Sequence, residues 1–297
     1  MTTCSLCTGA TEELGPGTVL GRHPVTYRRC TDCGSVLLLE PDWLEEAYSS
    51  AISQLDVGLL ERCRQLANVT AAVLTTQRLG RGQCLDFGGG YGTLTRMMRD
   101  RGYRYHHLDP HCQNVFAAGF EADLTRRWDV VTAFEVLEHL PDPVSTLRGI
   151  MDSTDFLLTT TQVLPSPTPA PGSWAYYSPE SGQHITLYSV KGLQAVAERL
   201  GVRLTTSGRL VHAFHRGRLR PSTRAVLHSE PLAYVTGALV SEGRRGRSLT
   251  AVDSEAIAAA LRTHAEQPPV GEAPTGDGGI IDLVSLDREP AEDAGRG

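Results

Sequence analysis

Residues 85–92 read LDFGGGYG, and this segment follows a predicted strand, Gln83–Phe87, and opens a predicted helix, Thr93–Arg101. Glycine tolerates the left-handed backbone of a tight strand-to-helix turn, and its missing Cβ lets a ligand approach the main chain. Ligands bind open α/β sheets beyond the carboxyl ends of the strands. The segment therefore predicts a ligand site at the end of the first strand of an α/β sheet.

The spacing of the glycines argues against two common nucleotide sites. A dinucleotide fingerprint starting at Gly88 would need glycine at position 93, where the chain has Thr93, and the lysine of a P-loop is also missing. The pattern is instead D-x-G-x-G-x-G, running from Asp86 to Gly92. A carboxylate beside the turn would repel a phosphate and tolerate a cationic methionyl group.

A second carboxylate, Asp109, follows the next predicted strand, Arg104–Leu108. At this place a carboxylate can accept hydrogen bonds from both ribose hydroxyls of an adenosine ligand. Each hydrogen bond to a charged group contributes about 1.5–3 kcal/mol. The alternative is a turn residue before Pro110.

Strands and helices alternate along the rest of this region, which is typical of right-handed βαβ units and a parallel sheet covered on both faces. An apolar run suits a buried parallel strand. After that strand, Trp128–Phe134, we expect a helix at Val144–Met151, a strand at Asp155–Thr160, a helix at Val190–Leu200, and an antiparallel pair at Val202–Thr206 and Leu210–Phe214.

With these features, about residues 40–215 resemble the class I S-adenosylmethionine-dependent methyltransferases. The resemblance implies an α/β, Rossmann-like sheet of seven mostly parallel strands with the last strand reversed. It places Phe120 and Glu121 near the adenine. It also implies cofactor contacts by Asp86, Gly88, Gly89, Gly90, Tyr91, Gly92, Asp109, Pro110 and Glu135.

The segment after the fourth strand reads EVLEH from Glu135 to His139, and it resembles the post-strand motif of ubiquinone-type methyltransferases. Two carboxylates and an imidazole can hold a divalent cation, and in that family the pattern is associated with metal. In the alternative interpretation, which we favour, Glu135 borders the cofactor and His139 is a structural hydrogen-bonding residue.

Residues 162–183 form a long proline-rich loop, and loops of this length are often functional lids. The loop runs through Tyr177 to His184, and a histidine with a pKa of about 6.5 can accept a proton from an acceptor group. The stretch resembles the lid of sugar C-methyltransferases, in which a tyrosine, a glutamate and a histidine act together. That resemblance implies Tyr177 and His184 as catalytic candidates, although Gln183 stands where a glutamate would be. His139 is the alternative candidate for the base. Alternatively, His184 anchors the loop.

Four of the seven cysteines form two close pairs, Cys4-x-x-Cys7 and Cys30-x-x-Cys33. Two such pairs can supply four thiolates to a tetrahedral zinc ion, and a site without an open position is structural. The sequence shows no signal peptide, so we expect a cytoplasmic protein with reduced thiols. The other three cysteines are expected to be small buried hydrophobic residues.

Composition restricts the partners of the protein. The 297 residues carry a formal net charge of -6, which gives no hint of the basic face that binds nucleic acid. No apolar run approaches the ~20 residues that span a bilayer. We expect a zinc-ribbon-like module at 1–40, a helical linker or cofactor cover at 41–80, the methyltransferase domain at 81–216 and an extension at 217–297. Within the extension we expect a helix at Ser254–His264, a loosely ordered end and a potential strand at Ile280–Leu286.

The resulting hypothesis is methyl transfer from S-adenosylmethionine to a small-molecule acceptor, such as a sugar or natural-product intermediate. C-methylation with a histidine general base is favoured. One alternative is a metal-assisted O-methyltransferase that uses Glu135, Glu138 and His139. Another is a non-catalytic adaptor whose zinc module recruits protein or RNA. The sequence leaves the oligomeric state open.

Overall fold

The computed structural model describes residues 3–48 and 57–265, apart from the side chains of 245 and 263–265. The potential strand at Ile280–Leu286 and the expected loosely ordered end lie outside the described residues. Within the part that is described, no helix combines the length and apolar character needed to cross a bilayer.

A mixed six-stranded sheet forms the centre of the molecule, and its strand order is β5-β4-β6-β7-β10-β9. The first four of these strands are parallel, whereas β10 runs antiparallel to both of its neighbours. The α/β class and the antiparallel closing pair expected from sequence are therefore confirmed. The strands are β4 Gln83–Phe87, β5 Arg104–Leu108, β6 Val130–Phe134, β7 Phe156–Thr160, β9 Arg203–Thr206 and β10 Val211–His215.

The expected sheet has seven strands, and the described residues place only one bridge where the seventh would lie. Beside β5, His107 pairs with Glu121 in a single parallel bridge. The Glu121 carboxylate accepts hydrogen bonds from the Gly119 N–H and the Asn114 side chain, which ties it to the preceding loop. Just beyond, Asp123 caps the Thr125 N–H in a turn. The chain therefore leaves the sheet edge too soon to form a longer strand.

Helices cover both faces of the sheet. Alternate strand residues point to opposite sides: Val131 and Leu157 pack toward α4 and α5, whereas Val130 and Leu158 pack toward α2, α3 and α6. Asp142 caps the start of α4 by accepting from the Ser145 N–H. The helices of these two layers are α2 Leu59–Gln77, α3 Thr93–Asp100, α4 Pro143–Ser153, α5 Val190–Leu200 and α6 Pro221–His228.

The segment 41–80, expected to be helical, contains two helices in its described part. The first is α1, Leu44–Ala47, and α2 begins at Leu59. Arg78 ends α2 in the left-handed conformation, with φ of 66°. The described residues of this segment are therefore largely helical, whereas their role as a cofactor cover stays a prediction.

The N-terminal module forms a second, antiparallel sheet with an unexpected fourth strand. Its strands are β1 Thr11–Val19, β2 His23–Cys30, β3 Val36–Leu37 and β8 Thr186–Leu187. The last of these follows the lid rather than the cysteine pairs. The expected boundary at residue 40 therefore does not enclose the whole sheet, because one of its four strands lies at residues 186–187.

In its described part, residues 217–265, the extension contains three α-helices, of which only the last was expected from sequence. They are α6, then α7 at Glu230–Gly243, and α8 at Thr250–Ala265. Helix α7 packs along α2, and a Cβ at Gly237 would lie 1.7 Å from the Asn68 carbonyl oxygen. Glycine is therefore required at this crossing.

A buried ion pair joins α8 to α3. The Arg99 guanidinium donates to both carboxylate oxygens of Asp253 at 2.6 and 2.9 Å, and it also donates to the Tyr105 carbonyl. Both side chains are almost fully inaccessible to solvent. The Arg99 guanidinium also lies 3.5 Å from the centre of the Phe120 ring.

We predict that Asp253→Ala destabilises the protein by about 3–5 kcal/mol, because it leaves the Arg99 charge buried without its carboxylate partner. Urea unfolding measures the change. Asp100→Ala is the matched control, since Asp100 is half-exposed and pairs with Arg96; its loss is expected to cost below about 1 kcal/mol. Equal losses in the two variants would contradict the prediction.

Candidate active site

The glycine turn, residues 88–92, follows β4 and leads into α3. Gly88, Gly90 and Gly92 have φ values of 68°, 57° and 82°, in the left-handed region. A Cβ at Gly88 would lie 2.6 Å from Val136 Cγ2, and one at Gly92 would lie 2.3 Å from Asn114 Oδ1. Both conformation and packing therefore require glycine, as the sequence pattern predicts.

Asp86 lies directly beneath the glycine turn. Its carboxylate accepts hydrogen bonds from Thr132 Oγ1 at 2.8 Å and Thr95 Oγ1 at 3.4 Å. A Cβ at Gly89 would lie 2.6 Å from Asp86 Oδ2. Burial raises the pKa of Asp86 to about 7, and the nearby Asp109 charge acts in the same direction. The group is thus a desolvated acid whose ionisation depends on its surroundings.

Asp109 joins the end of β5 to the glycine turn. Its Oδ2 accepts from the Gly90 N–H and its Oδ1 from the His111 N–H, both at 2.8 Å. A carboxylate offers about four lone-pair sites, so each oxygen keeps one for a further donor. Two free acceptor sites on one carboxylate match the two hydroxyls of a ribose.

A cleft of about 1210 Å³ opens above these residues. Phe120 and Glu121 do not line it: Phe120 packs against Arg99, and the Glu121 carboxylate is engaged by its own loop. Gly92, at the start of α3, is also outside the lining. The other expected cofactor contacts all border the cleft, namely Asp86, Gly88, Gly89, Gly90, Tyr91, Asp109, Pro110 and Glu135.

The acidic–histidine turn, residues 135–139, forms one wall of the cleft. Glu135 adopts the left-handed conformation with φ of 53°, which reverses the chain after β6. Glu138 is fully buried, and burial raises the pKa of both Glu135 and Glu138 to about 7. Among the described residues, Glu135 Oε1, Glu138 Oε2 and His139 Nδ1 have no hydrogen-bond partner. These orphaned atoms indicate a place for a polar ligand.

A second wall comes from the lid, the loop 162–183, and the residue that follows it. A short 3₁₀ turn at Ala175–Tyr177 directs the Tyr176 hydroxyl to Glu138 Oε1, and it also lies 3.4 Å from Glu135 Oε2. His184 Nδ1 lies 2.6 Å from the Tyr176 carbonyl oxygen. Because a carbonyl only accepts, Nδ1 carries the proton, and Nε2 keeps a lone pair in the neutral ring.

The two histidines expected to be catalytic lie together. The His139 and His184 rings meet edge to face with centroids 4.9 Å apart. Burial lowers the pKa of both, that of His139 to about 3. Both histidines line the cleft, where burial disfavours the charged imidazolium.

Of the two adjacent lid tyrosines, the structure brings Tyr176 rather than Tyr177 into the cleft. Tyr177 faces the N-terminal sheet, where its hydroxyl donates to the Pro169 carbonyl and its ring packs edge-on against Tyr27. Sequence alone could not choose between neighbours, because the turn that orients them is irregular. The aromatic residues that precede His184 in sequence were the only local pattern that pointed to a tyrosine in the cleft.

Tyr48 is a second residue that the sequence did not single out. Its ring stacks on His111 at 5.4 Å and lies 6.3 Å from His139, so it spans the cofactor and acidic sides of the cleft. Burial raises the pKa of Tyr48 well above its usual range. Its position depends on long-range packing of α1, which no local pattern reports.

The cysteine cluster, formed by Cys4, Cys7, Cys30 and Cys33, lies apart from the cleft. Its ligand atoms all lie within 4.8 Å of one another, with Cys4 and Cys33 sulfurs at 3.8 Å and Cys7 and Cys30 sulfurs at 3.4 Å. A tetrahedron with Zn–S bonds of about 2.3 Å has edges of about 3.8 Å. Four thiols at this spacing fit a zinc ion.

Of the remaining cysteines, Cys84 is buried as expected, whereas Cys63 and Cys112 are only partly buried. Cys63 lines the cleft from α2.

The sequence matches the family model described as "Methyltransferase domain" over residues 60–207. Residues 60–207 form a class I S-adenosylmethionine-dependent methyltransferase domain. The match covers the glycine turn, Asp109, the acidic–histidine turn and His184. The adaptor interpretation is therefore not supported. No curated protein matches the sequence significantly.

Solved methyltransferase structures are similar to this methyltransferase at low sequence identity. The mitomycin 7-O-methyltransferase MmcR is 18% identical over 59% of this chain and 67% of its own, with a TM-score of 0.37. The magnesium protoporphyrin IX methyltransferase from Synechocystis is 13% identical over 60% and 93%, with a TM-score of 0.37. The plantazolicin methyltransferase BpumL is 10% identical over 58% and 90%, with a TM-score of 0.41. Against TnmH, the match spans 57% of that chain.

We predict that the methyltransferase loses stability as the pH rises from about 5 to about 8 more steeply than Asp86→Asn does. Asp86 has a pKa of about 7 when folded against an ordinary value of 3.8, so between these values only the folded state holds the proton. Stability falls with pH wherever the folded state binds more protons. Urea unfolding across this range measures both slopes, and parallel slopes would contradict the prediction.

Proposed function

We propose that this methyltransferase methylates a small-molecule acceptor, such as a sugar or natural-product intermediate, with C-methylation favoured and His184 as the general base. The observation that carries the proposal is the hydrogen bond between His184 Nδ1 and the Tyr176 carbonyl. It fixes the tautomer that leaves Nε2 able to accept a proton at the cleft.

The cofactor half of the cleft fits S-adenosylmethionine. The two open acceptor sites of Asp109 suit the ribose hydroxyls, and the glycine turn lets the ligand approach the main chain. Asp86 places an ionisable acid beneath the turn, where a sulfonium charge would favour its carboxylate form. When bound, this cofactor supplies an electrophilic methyl group.

The acidic–histidine turn supplies the second half of the chemistry. Burial raises the pKa of Glu135 and Glu138 to about 7. Near neutral pH, Glu135, which lines the cleft, can therefore hold a proton and donate it to an acceptor oxygen. Tyr176 keeps the Glu138 side chain in place through its hydroxyl. A base opposite a hydrogen-bond donor is the arrangement that removes a proton from carbon next to a carbonyl.

The proton and electron balance is simple. His184 Nε2 takes the proton from the acceptor carbon, and the electron pair left behind forms the new bond to the methyl carbon. The bound cofactor would supply the methyl group as an electrophile, and its sulfur would keep the electrons of the methyl–sulfur bond. Closure of the lid excludes water and holds the acceptor in line, so orientation contributes much of the rate.

The cysteine cluster is proposed to hold one structural zinc ion. Four sulfurs leave no open coordination position, so the ion would hold the module together and take no part in methyl transfer. The other partners expected from sequence, a small-molecule acceptor and no nucleic acid or membrane, remain predictions, as does the cytoplasmic location.

We predict that His184→Gln lowers the rate of methyl transfer by about 10²–10⁴-fold without weakening the binding of S-adenosylhomocysteine. Cells making the wild type or the variant are fed methionine with a ¹³C-labelled methyl group. A labelled metabolite is expected only with the wild type, and its ¹³C spectrum distinguishes a methyl on carbon from one on oxygen. Calorimetry measures binding of the demethylated cofactor.

His228→Gln is the matched control, because His228 is exposed and its Nδ1 bonds only to the Thr206 carbonyl at 3.0 Å. This variant should retain full activity. Labelled product formed in His184→Gln cells at the wild-type rate would overturn the base assignment, and a labelled O-methyl product would overturn C-methylation.

A divalent-cation site is the second candidate, and one observation favours it. Glu138, His139 and His184 each offer a ligand atom within 4.8 Å of the others. Glu138 Oε2 and His139 Nδ1 have no partner among the described residues. This set replaces Glu135 of the sequence hypothesis with His184, and such a cation would polarise an acceptor oxygen for O-methylation.

Metal dependence separates the two candidates. The protein is dialysed against a chelator that leaves zinc on the cysteine cluster. If His184 is a base, we expect this treatment to change turnover by less than about twofold. If a cation assists, turnover should be lost on dialysis and restored by Mg²⁺ or Mn²⁺. Metal content by mass spectrometry, compared between wild type and Glu138→Gln, distinguishes this ion from zinc on the cysteines.

A further inference from the structure

The segment that carries His184 is bound to the module that holds the cysteine cluster. Two residues after His184, β8 pairs with β3, with Thr186 opposite Leu37 and Leu187 opposite Val36. The Leu38 N–H also donates to the Ile185 carbonyl at 2.8 Å. The catalytic loop therefore ends as a strand of the N-terminal sheet.

Two serines connect this strand to the cysteine cluster. Ser35, which is fully buried, accepts from the Ser189 N–H at 3.1 Å. Ser189 Oγ donates to the Cys33 carbonyl at 2.5 Å and accepts from the Gly192 N–H, capping α5. A Cβ at Gly192 would lie 2.1 Å from Ser35 Oγ, so this junction is packed without spare room.

The opposite side of the same segment contacts the acidic–histidine turn. The Ile185 N–H donates to the Glu138 carbonyl at 2.9 Å, and the Tyr188 hydroxyl donates to the Leu137 carbonyl at 3.0 Å. Residues 184–189 are thus held between the cysteine cluster and the acidic wall of the cleft. A displacement on either side changes the distance from His184 to the acceptor.

We propose that Ser35 and Ser189 are positioning residues, through which the metal-loaded cysteine cluster fixes His184 in the cleft. The catalytic meaning of this link rests on the proposed function of His184, whereas the mechanical link does not. A two-residue strand is too short to be stable alone, so its place depends on its neighbours. Metal binding orders segments that lack a core of their own.

Hydrogen exchange of the full-length chain tests the link, with zinc bound and after removal of zinc by a chelator. On zinc removal, the amides of 184–189 are expected to exchange about tenfold faster. Exchange of the amides of 83–92, in β4 and the glycine turn, should be unchanged. The affinity for S-adenosylhomocysteine should stay within about twofold. The ¹⁵N shifts of the His184 ring should show partial loss of the Nδ1–H tautomer.

Ser35→Ala tests the link with zinc still bound. It should keep the zinc content of the wild type and speed exchange at 184–189 by about fivefold. The variant loses two hydrogen bonds of the Ser35 hydroxyl, one accepted from the Ser189 N–H and one donated to Ser189 Oγ. Thr26→Ala is the matched control, because it removes an exposed hydroxyl from β2 of the same sheet. It should leave exchange at 184–189 unchanged.

Two results would overturn the proposal. One is unchanged exchange at 184–189 after zinc removal. The other is an equal acceleration of amide exchange at 184–189 and 83–92, which would mean that the cysteine cluster stabilises the whole fold. Retained activity in His184→Gln would instead overturn the base assignment and leave the exchange result standing.

Discussion

The hydrogen bonds of the Asp109 carboxylate hold the cofactor side of the cleft together. One oxygen receives the Gly90 N–H of the glycine turn and the other receives the N–H of His111, which follows its own strand. These hydrogen bonds join the carboxyl ends of β4 and β5. In open parallel sheets, ligands bind at this edge. The cleft, its glycine backbone and its free acceptor sites all depend on this junction.

On the acceptor side, desolvation dominates the chemistry. Two glutamates and a tyrosine hydroxyl share a buried wall, and the same burial lowers the pKa of the two histidines beside them. Water would hold the acids ionised and the imidazoles near their usual pKa. The fold instead places weak acids opposite weak bases, which suits proton transfer at neutral pH.

Sequence predicted what local patterns encode. The glycine turn, Asp109 and the strand bounds of β4 and β5 follow from residue types at fixed spacing, and the cysteine pairs do so as well. The sequence could not reveal that β8 completes the N-terminal sheet, because a two-residue strand has no periodicity. The choice of Tyr176 over Tyr177, and the place of Tyr48, depend on tertiary packing. Helices α6 and α7 were missed for a related reason, since their stability comes from contact with α2.

The close crossing of α7 over α2 also bears on where the enzyme can be cut. Helix α2 lines the cleft through Leu59, Cys63 and Leu66, and its other side receives Gly237 of α7. The family match ends at residue 207, before α6 and α7 begin. A chain truncated at that limit would expose the apolar back of a cleft wall to solvent. A fragment that keeps this wall covered must therefore extend past residue 207 to include α7.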